Sequence, residues 1–184
     1  MRWSSVVRQC RFDCVRVDLF GLSNMLFMLL FPVLSCVAAL VLTVTGAPGQ
    51  VAVSVYGGVC GMAAVMSWMS ALSVNVAEES GGHRAMNGMI PIARTSQVAG
   101  RFLFLLVTCA MWTVDVMACS VFFAFGDMMD SGWAGAMIPS AVIFAFSLIV
   151  GSILMAFSYR FTFRAMMRIF VVVIVGLYAL VALL

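Results

Sequence analysis

The chain has 184 residues, of which 65% are hydrophobic and only 9% charged, and its net charge is +3. A soluble domain dresses its surface with roughly a quarter charged residues, so a water-soluble globule is excluded. The positive charge comes from arginine alone and no basic cluster sits on a polar surface, so no nucleic-acid partner is expected.

The spacing of the charges divides the chain. No Asp, Glu, Lys, Arg or His occurs between Asp18 and Glu78, between Asp130 and Arg160, or after Arg168. A helix needs about 20 mostly apolar residues to cross about 30 Å of hydrocarbon, so the first gap holds two spans. The expected fold is an all-α integral membrane protein, a single transmembrane domain over residues 1–184 with about five spanning helices. None of the runs shows the ten-residue alternation of an outer-membrane strand.

Residues 1–18 are too charged to span. Trp3, Val7, Cys10, Cys14 and Val17 recur at steps of four, three, four and three, which puts them on one helical stripe, while Arg8, Arg11 and Arg16 lie off it. This pattern predicts a helix lying in the membrane interface, its arginines reaching the headgroups; the alternative is a frayed basic tail. Val33-Leu34-Ser35-Cys36 loosely resembles a lipoprotein cleavage site, but the region before it is long and holds Asp13 and Asp18, which argues against processing.

Helix 1 is expected over 21–44 and helix 2 over 52–76, separated by the turn signal Thr45-Gly46-Ala47-Pro48-Gly49-Gln50. Gly57-x-x-x-Gly61, next to Gly58, puts small residues on one face of helix 2; packing within the chain is favoured over a dimer seam. A cytoplasmic loop follows over 78–100. Helix 3 is expected over 101–125, helix 4 over 134–157 and helix 5 over 164–184.

All ten arginines fall before helix 1, between helices 2 and 3, or between helices 4 and 5, hence on one side. The positive-inside rule makes that side the cytoplasm. The chain is expected to cross the cytoplasmic membrane several times, with its N-terminus in the cytosol.

The loop between helices 2 and 3 carries a resemblance. It reads Glu78-Glu79-Ser80-Gly81-Gly82-His83-Arg84, then Ile90-Pro91-Ile92-Ala93-Arg94-Thr95-Ser96-Gln97-Val98-Ala99-Gly100-Arg101-Phe102. This is similar to the first cytoplasmic loop of small ABC-2-type transporter permeases. There an acidic residue closes helix 2, a Leu-Pro-Val-Ser-Arg-like run follows, and a Val and a Gly-Lys-Tyr-like end open helix 3. Here Ile90, Pro91, Ile92, Ala93 and Arg94 take the first part, and Val98, Gly100, Arg101 and Phe102 the second. Ala93 replaces the usual hydroxyl residue and Gln97 stands where an aliphatic one is common. The N-terminal interfacial helix is similar to that family's elbow helix.

The resemblance implies a permease subunit of an ATP-driven exporter. A short coupling helix over 91–98 would sit in a groove of a separate ATPase subunit, with Glu78, Glu79, Pro91, Ile92, Arg94, Val98, Gly100 and Arg101 as the coupling residues. Pro91 suits the first turn of such a helix. Glu78 and Glu79 are expected to pair with Arg84, with Arg94 or with the ATPase; paired among themselves as exposed loop charges they would stabilise little. A second permease subunit, identical or merely similar, would complete the pathway. The family usually has six spans, whereas five are counted here.

No Gly-x-x-x-x-Gly-Lys-Ser/Thr occurs, and without lysine none can. The chain itself is therefore expected to have no ATPase activity and no cofactor, ATP and Mg²⁺ belonging to the partner. Six scattered cysteines, no CxxC and a single histidine, His83, point to neither a disulfide framework nor a metal site.

Asp115 lies fourteen residues into helix 3. An acidic residue at such depth costs roughly 2.5–3.5 kcal/mol on insertion scales, so it faces the bundle interior or water. It is either part of the substrate path or a proton-linked site, or else a protonated group bonded to Ser67, Ser70, Ser73 or Asn75 of helix 2. The rival to the whole transport reading is a membrane protein that acts by binding, such as an immunity factor or a scaffold.

Overall fold

Long apolar runs without a competing partner satisfy their backbone internally, as helices. A computed structural model describes residues 3–80, 93–125 and 132–162, together with residues 165, 168 and 172. Among the described residues every regular element is an α-helix: α1 (Trp3–Arg16), α2 (Leu22–Thr45), α3 (Gly49–Ser80), α4 (Arg94–Phe125) and α5 (Gly132–Ser158). Four of them, α2 to α5, are long and apolar enough to cross a membrane. The shortest apolar stretch, Met137–Ser158, has 22 residues; at about 1.5 Å per residue it clears about 30 Å of hydrocarbon. All of the expected fifth span over 164–184 except residues 165, 168 and 172 lies outside the described residues, as do Pro91, Ile92, Asp127 and Asp130.

Two boundaries differ from those expected by more than three residues. Helix α3 runs on to Ser80, so Glu78 and Glu79 are helical and not part of a loop. Helix α4 begins at Arg94, seven residues before the expected start at Arg101, so 94–98 is the beginning of a 32-residue helix and not a separate coupling helix. The physical reason is that charge marks the edge of an apolar stretch, whereas a helix continues for as long as its backbone bonds and end charges are matched.

The connection between α1 and α2 is tight. Asp18 takes a left-handed conformation, φ 53°, and its carbonyl accepts the Asn24 side-chain amide at 2.7 Å. A Cβ on Gly21 would meet the Asp18 carboxylate at 1.9 Å, so no larger residue fits this corner without moving it. At the other end of α2, Gly46 is left-handed, and the Gly46 and Ala47 amides bond back to Thr43 and Leu42. That closes the helix and frees the chain to return through Pro48 into α3.

Helix α4 is the axis of the bundle: it packs against α1, α2, α3 and α5. Its inward face is Phe104, Leu105, Thr108, Cys109, Trp112, Val116, Cys119 and Phe123, all buried. Helix α3 lies antiparallel to it, with Glu78 against Arg101 at one end and Tyr56 against Phe123, 5.5 Å between ring centres, at the other. Helix α2 runs parallel to α4 at the periphery, and its outward residues are large and apolar, Leu22 77% and Val44 78% exposed. An apolar surface of that extent is foreign to a soluble monomer and suited to lipid.

Candidate functional site

The arginine-bearing end of the bundle holds a buried polar cluster built by four segments. From α1 come Gln9, Asp13 and Arg16; from α3, Asn75 and Glu78; from α4, Arg101; and from the end of α5, Ser158 and Tyr159. Glu78, 4% exposed, is gripped twice by one oxygen: Arg16 Nη1 donates to Oε1 at 2.7 Å, and Arg101 Nη2 donates to the same atom. Arg101, 7% exposed, also donates through Nη1 to Asn75 Oδ1 at 2.9 Å, while Asn75 Nδ2 donates to Ser158 Oγ at 3.0 Å. The Arg101 guanidinium lies 5.5 Å from the centre of the Tyr159 ring, within cation–π range.

Asp13 completes the cluster from α1. It is fully buried, accepts Gln9 Nε2 at 3.1 Å on Oδ1, and leaves Oδ2 without a hydrogen-bond partner. Burial pushes its carboxyl up to about 6, against the pull of the Gln9 hydrogen bond and of the Arg101 and Arg16 charges. Two carboxylates thus face two guanidiniums inside the protein. Among the described residues its opposite charges are equal in number, which eases their burial.

Helix α1 reaches this position because Gly100 lets it. A Cβ on Gly100 would stand 2.6 Å from Gln9 Cβ and 3.1 Å from the Val6 carbonyl oxygen. The buried face of α1 is therefore Val6, Gln9, Cys10, Asp13 and Cys14. Of the expected stripe Cys10 and Cys14 face inward and Val17 packs partly buried against the same core, while Trp3 and Val7 are exposed.

The residues expected to couple to an ATPase differ in how far they are exposed. Glu78, Gly100 and Arg101 are enclosed by the chain itself, Glu79 and Val98 are half-buried, and only Arg94 of the described candidates is exposed. Arg84 lies outside the described residues; among the described residues Glu78 pairs with Arg16 and Arg101 inside the bundle. The reason is again the length of α3 and α4, which carries both charges into a junction sealed by α1.

A second polar place lies further along the bundle. Asp115 is half-buried on α4, with Oδ2 wholly enclosed and without a hydrogen-bond partner. The partners expected for it on helix 2 are engaged elsewhere. Ser67 donates to the Ala64 carbonyl at 2.7 Å, Ser70 to Met66 at 2.8 Å and Ser73 to Ser70, while Asn75 belongs to the arginine cluster. With Glu78 opposite Arg101 in an antiparallel pair, Asp115 sits level with the stretch around Ala64, and those polar residues fall nearer the arginine end.

No protein-family model, curated protein or solved structure matches this chain.

The residues that sequence reasoning passed over are Gln9, Asp13, Arg16, Ser158 and Tyr159. One signal was present: Gln9 and Asp13 stand four apart, on the same helical face as Val6 and Cys10. A carboxylate on the apolar side of an arginine-rich helix needs a cation on the element it packs against. Among the described residues no group of three metal-binding side chains comes together. The Gly57, Gly58 and Gly61 face was expected to pack within the chain. A Cβ at any of the three would have nothing within 4 Å, so the described helices leave that face open.

Proposed function

We propose that the chain is the membrane-spanning permease subunit of an ATP-driven exporter of the ABC-2 type. In this reading it lies in a bacterial cytoplasmic membrane with its arginine-bearing end in the cytosol, beside a second permease subunit and above a separate ATPase that supplies the ATP and Mg²⁺ chemistry. The observation that carries it is the Arg16–Glu78–Arg101 junction, which locks α1, α3 and α4 together next to the loop that resembles a coupling loop.

Mechanically, a partner that moves Arg94 moves the first turn of α4. Because α4 packs against every other described helix, such a push reaches the whole bundle as a rigid rotation or tilt. Pro91, Ile92 and Arg94 are the residues we assign to the grip, and Glu78, Gly100 and Arg101 to transmission within the chain.

Purification in mild detergent from cells that express the chain with its chromosomal neighbours tests the reading. A P-loop ATPase is expected to co-purify, and Arg94→Glu together with Pro91→Ala is expected to release it without changing the elution of the membrane subunit. An intact membrane protein with no associated ATPase refutes it. The enclosure of Glu78, Gly100 and Arg101 favours a second reading, a membrane protein that acts by binding alone; in that case the same preparation yields a non-ATPase partner.

A further inference from the structure

Asp115 is a different kind of carboxylate from Asp13 and Glu78, which face arginines of neighbouring elements. Arginine occurs only at positions 2–16, 84–101 and 160–168. Arg101, on the same helix, is already held by Glu78 and lies about 21 Å away along the axis. Asp115 Oδ2 is nevertheless enclosed and accepts no hydrogen bond among the described residues.

Its surroundings are specific. Cys119, one turn further on, adjoins both Asp115 and Ser35 of α2, and Ser35 is itself buried, 1% exposed. One turn in the other direction is Trp112. Its ring centre lies 5.3 Å from Phe31 and 6.3 Å from Phe27, and the two phenylalanines are 5.6 Å apart, all three edge to face. Phe27 is 42% exposed, at the outer edge of the α2–α4 seam. Asp115 thus stands one helical turn from Trp112, the ring that joins the Phe27 and Phe31 pair of α2 to α4.

A carboxylate at bilayer depth is stable with a proton or with a cation beside it. A proton makes no use of aromatic rings. An organic cation does, because ring faces attract positive charge and their area matches its apolar substituents. We propose that Asp115, Phe27, Phe31 and Trp112 form a binding site for a lipophilic monovalent organic cation, entered between α2 and α4. The proposal deepens the permease reading by naming the class of substrate, and it rests on that reading only for the use to which the site is put.

The test is equilibrium binding to the full-length chain, purified in detergent without any ATPase. Titration with tetraphenylphosphonium by calorimetry, and with ethidium by fluorescence, is expected to show saturable binding. Asp115→Asn is expected to weaken it by about tenfold or more, as the loss of a charge pair in low dielectric requires, while Asp115→Glu retains it. Phe27→Leu, which keeps an apolar side chain at a position 42% exposed, is expected to weaken it about fivefold. If Asp115→Asn fails to elute as a single species, the Glu and Leu variants decide the matter. Absence of saturable binding, equal binding by the Asn variant, or equal affinity for tetraphenylborate overturns the proposal. Loss of the ATPase partner with cation binding intact would count against the permease reading alone.

Discussion

Arg101 and Glu78, twenty-three residues apart in sequence, meet inside the protein where α3 and α4 run side by side. Both are nearly free of solvent, so neither charge has water to fall back on if the other is removed. Removing one partner of a buried pair costs about 3–5 kcal/mol. Glu78→Ala and Arg101→Ala are each expected to lower stability in detergent by about that amount, read by thermal or denaturant unfolding. Arg16, with 18% of its side chain exposed, should cost about 1 kcal/mol or less when truncated. The double variant Glu78→Gln with Arg101→Met removes both charges and should recover much of the loss. A double variant as unstable as the sum of its singles would show that the two residues do not interact.

Asp13 makes the same junction sensitive to pH. Its carboxyl is raised from 3.8 to about 6, first by burial, with Glu78 adding to the rise and Gln9, Arg101 and Arg16 opposing it. A raised acid favours the folded state when protonated, so its contribution is complete below about pH 4 and is lost as pH rises through about 6. At about 1.36 kcal/mol per pH unit the full difference is about 3 kcal/mol. Stability is therefore expected to increase from pH 8 to pH 5, and Asp13→Asn to flatten that slope while matching or exceeding the parent at pH 8. A parent protein that loses stability over this range, or an Asn variant with an unchanged slope, would show that Asp13 is not the titrating group.

The close approach of α1 to α4 depends on the missing side chain at position 100. Gly100→Ala puts a carbon 2.6 Å from Gln9 Cβ and 3.1 Å from a backbone oxygen, neither of which can swing aside, so α1 must shift. Overpacking of this kind costs about 1–3 kcal/mol. Cys10 and Cys14 report the shift directly. Both are buried, and burial beside Cys14 pushes the Cys10 thiol up to about 12, so maleimide should react slowly with the parent. Faster labelling of these two cysteines is expected in the variant, with labelling of Cys109 unchanged. Identical labelling of Cys10 and Cys14 in the two proteins would mean that α1 is not seated on Gly100.

The sequence made some of this architecture visible and hid the rest for identifiable reasons. The ends of α2 and α5 were legible to within two residues, because Gly46 and Pro48 bound one run and a charge-free stretch from Asp130 to Arg160 holds the other. The ends of α3 and the start of α4 were not, since hydropathy reports where lipid stops and not where backbone hydrogen bonding stops. The polar junction was invisible because its pairs are distant in sequence: Arg16 and Glu78 are 62 residues apart. The depth of Asp115 was readable from its place on the helix, but its neighbours were not, because they depend on the register of α3 against α4. That register is set by Glu78 and Arg101, so one long-range ion pair decides both what surrounds Arg101 and which polar groups fail to reach Asp115.

The last prediction concerns the face of α3 that the described helices leave uncovered. Gly57, Gly58 and Gly61 have open space where a Cβ would be, although small residues at this spacing let two helices come together closely. If the face meets only lipid, a side chain there costs nothing in packing. Replacing glycine by alanine inside a helix is worth about 0.8–1 kcal/mol in propensity. Gly57→Ala and Gly61→Ala are therefore expected to leave the stability of the purified chain unchanged or higher, measured by unfolding at high detergent, where chains are kept apart. Gly57→Leu with Gly61→Leu separates two situations that the alanine variants leave together. A lipid-facing surface tolerates the leucines in the membrane as it does in detergent. A drop in stability at high detergent would mean that another part of the same chain packs there, and the face would then be part of the protein's own core.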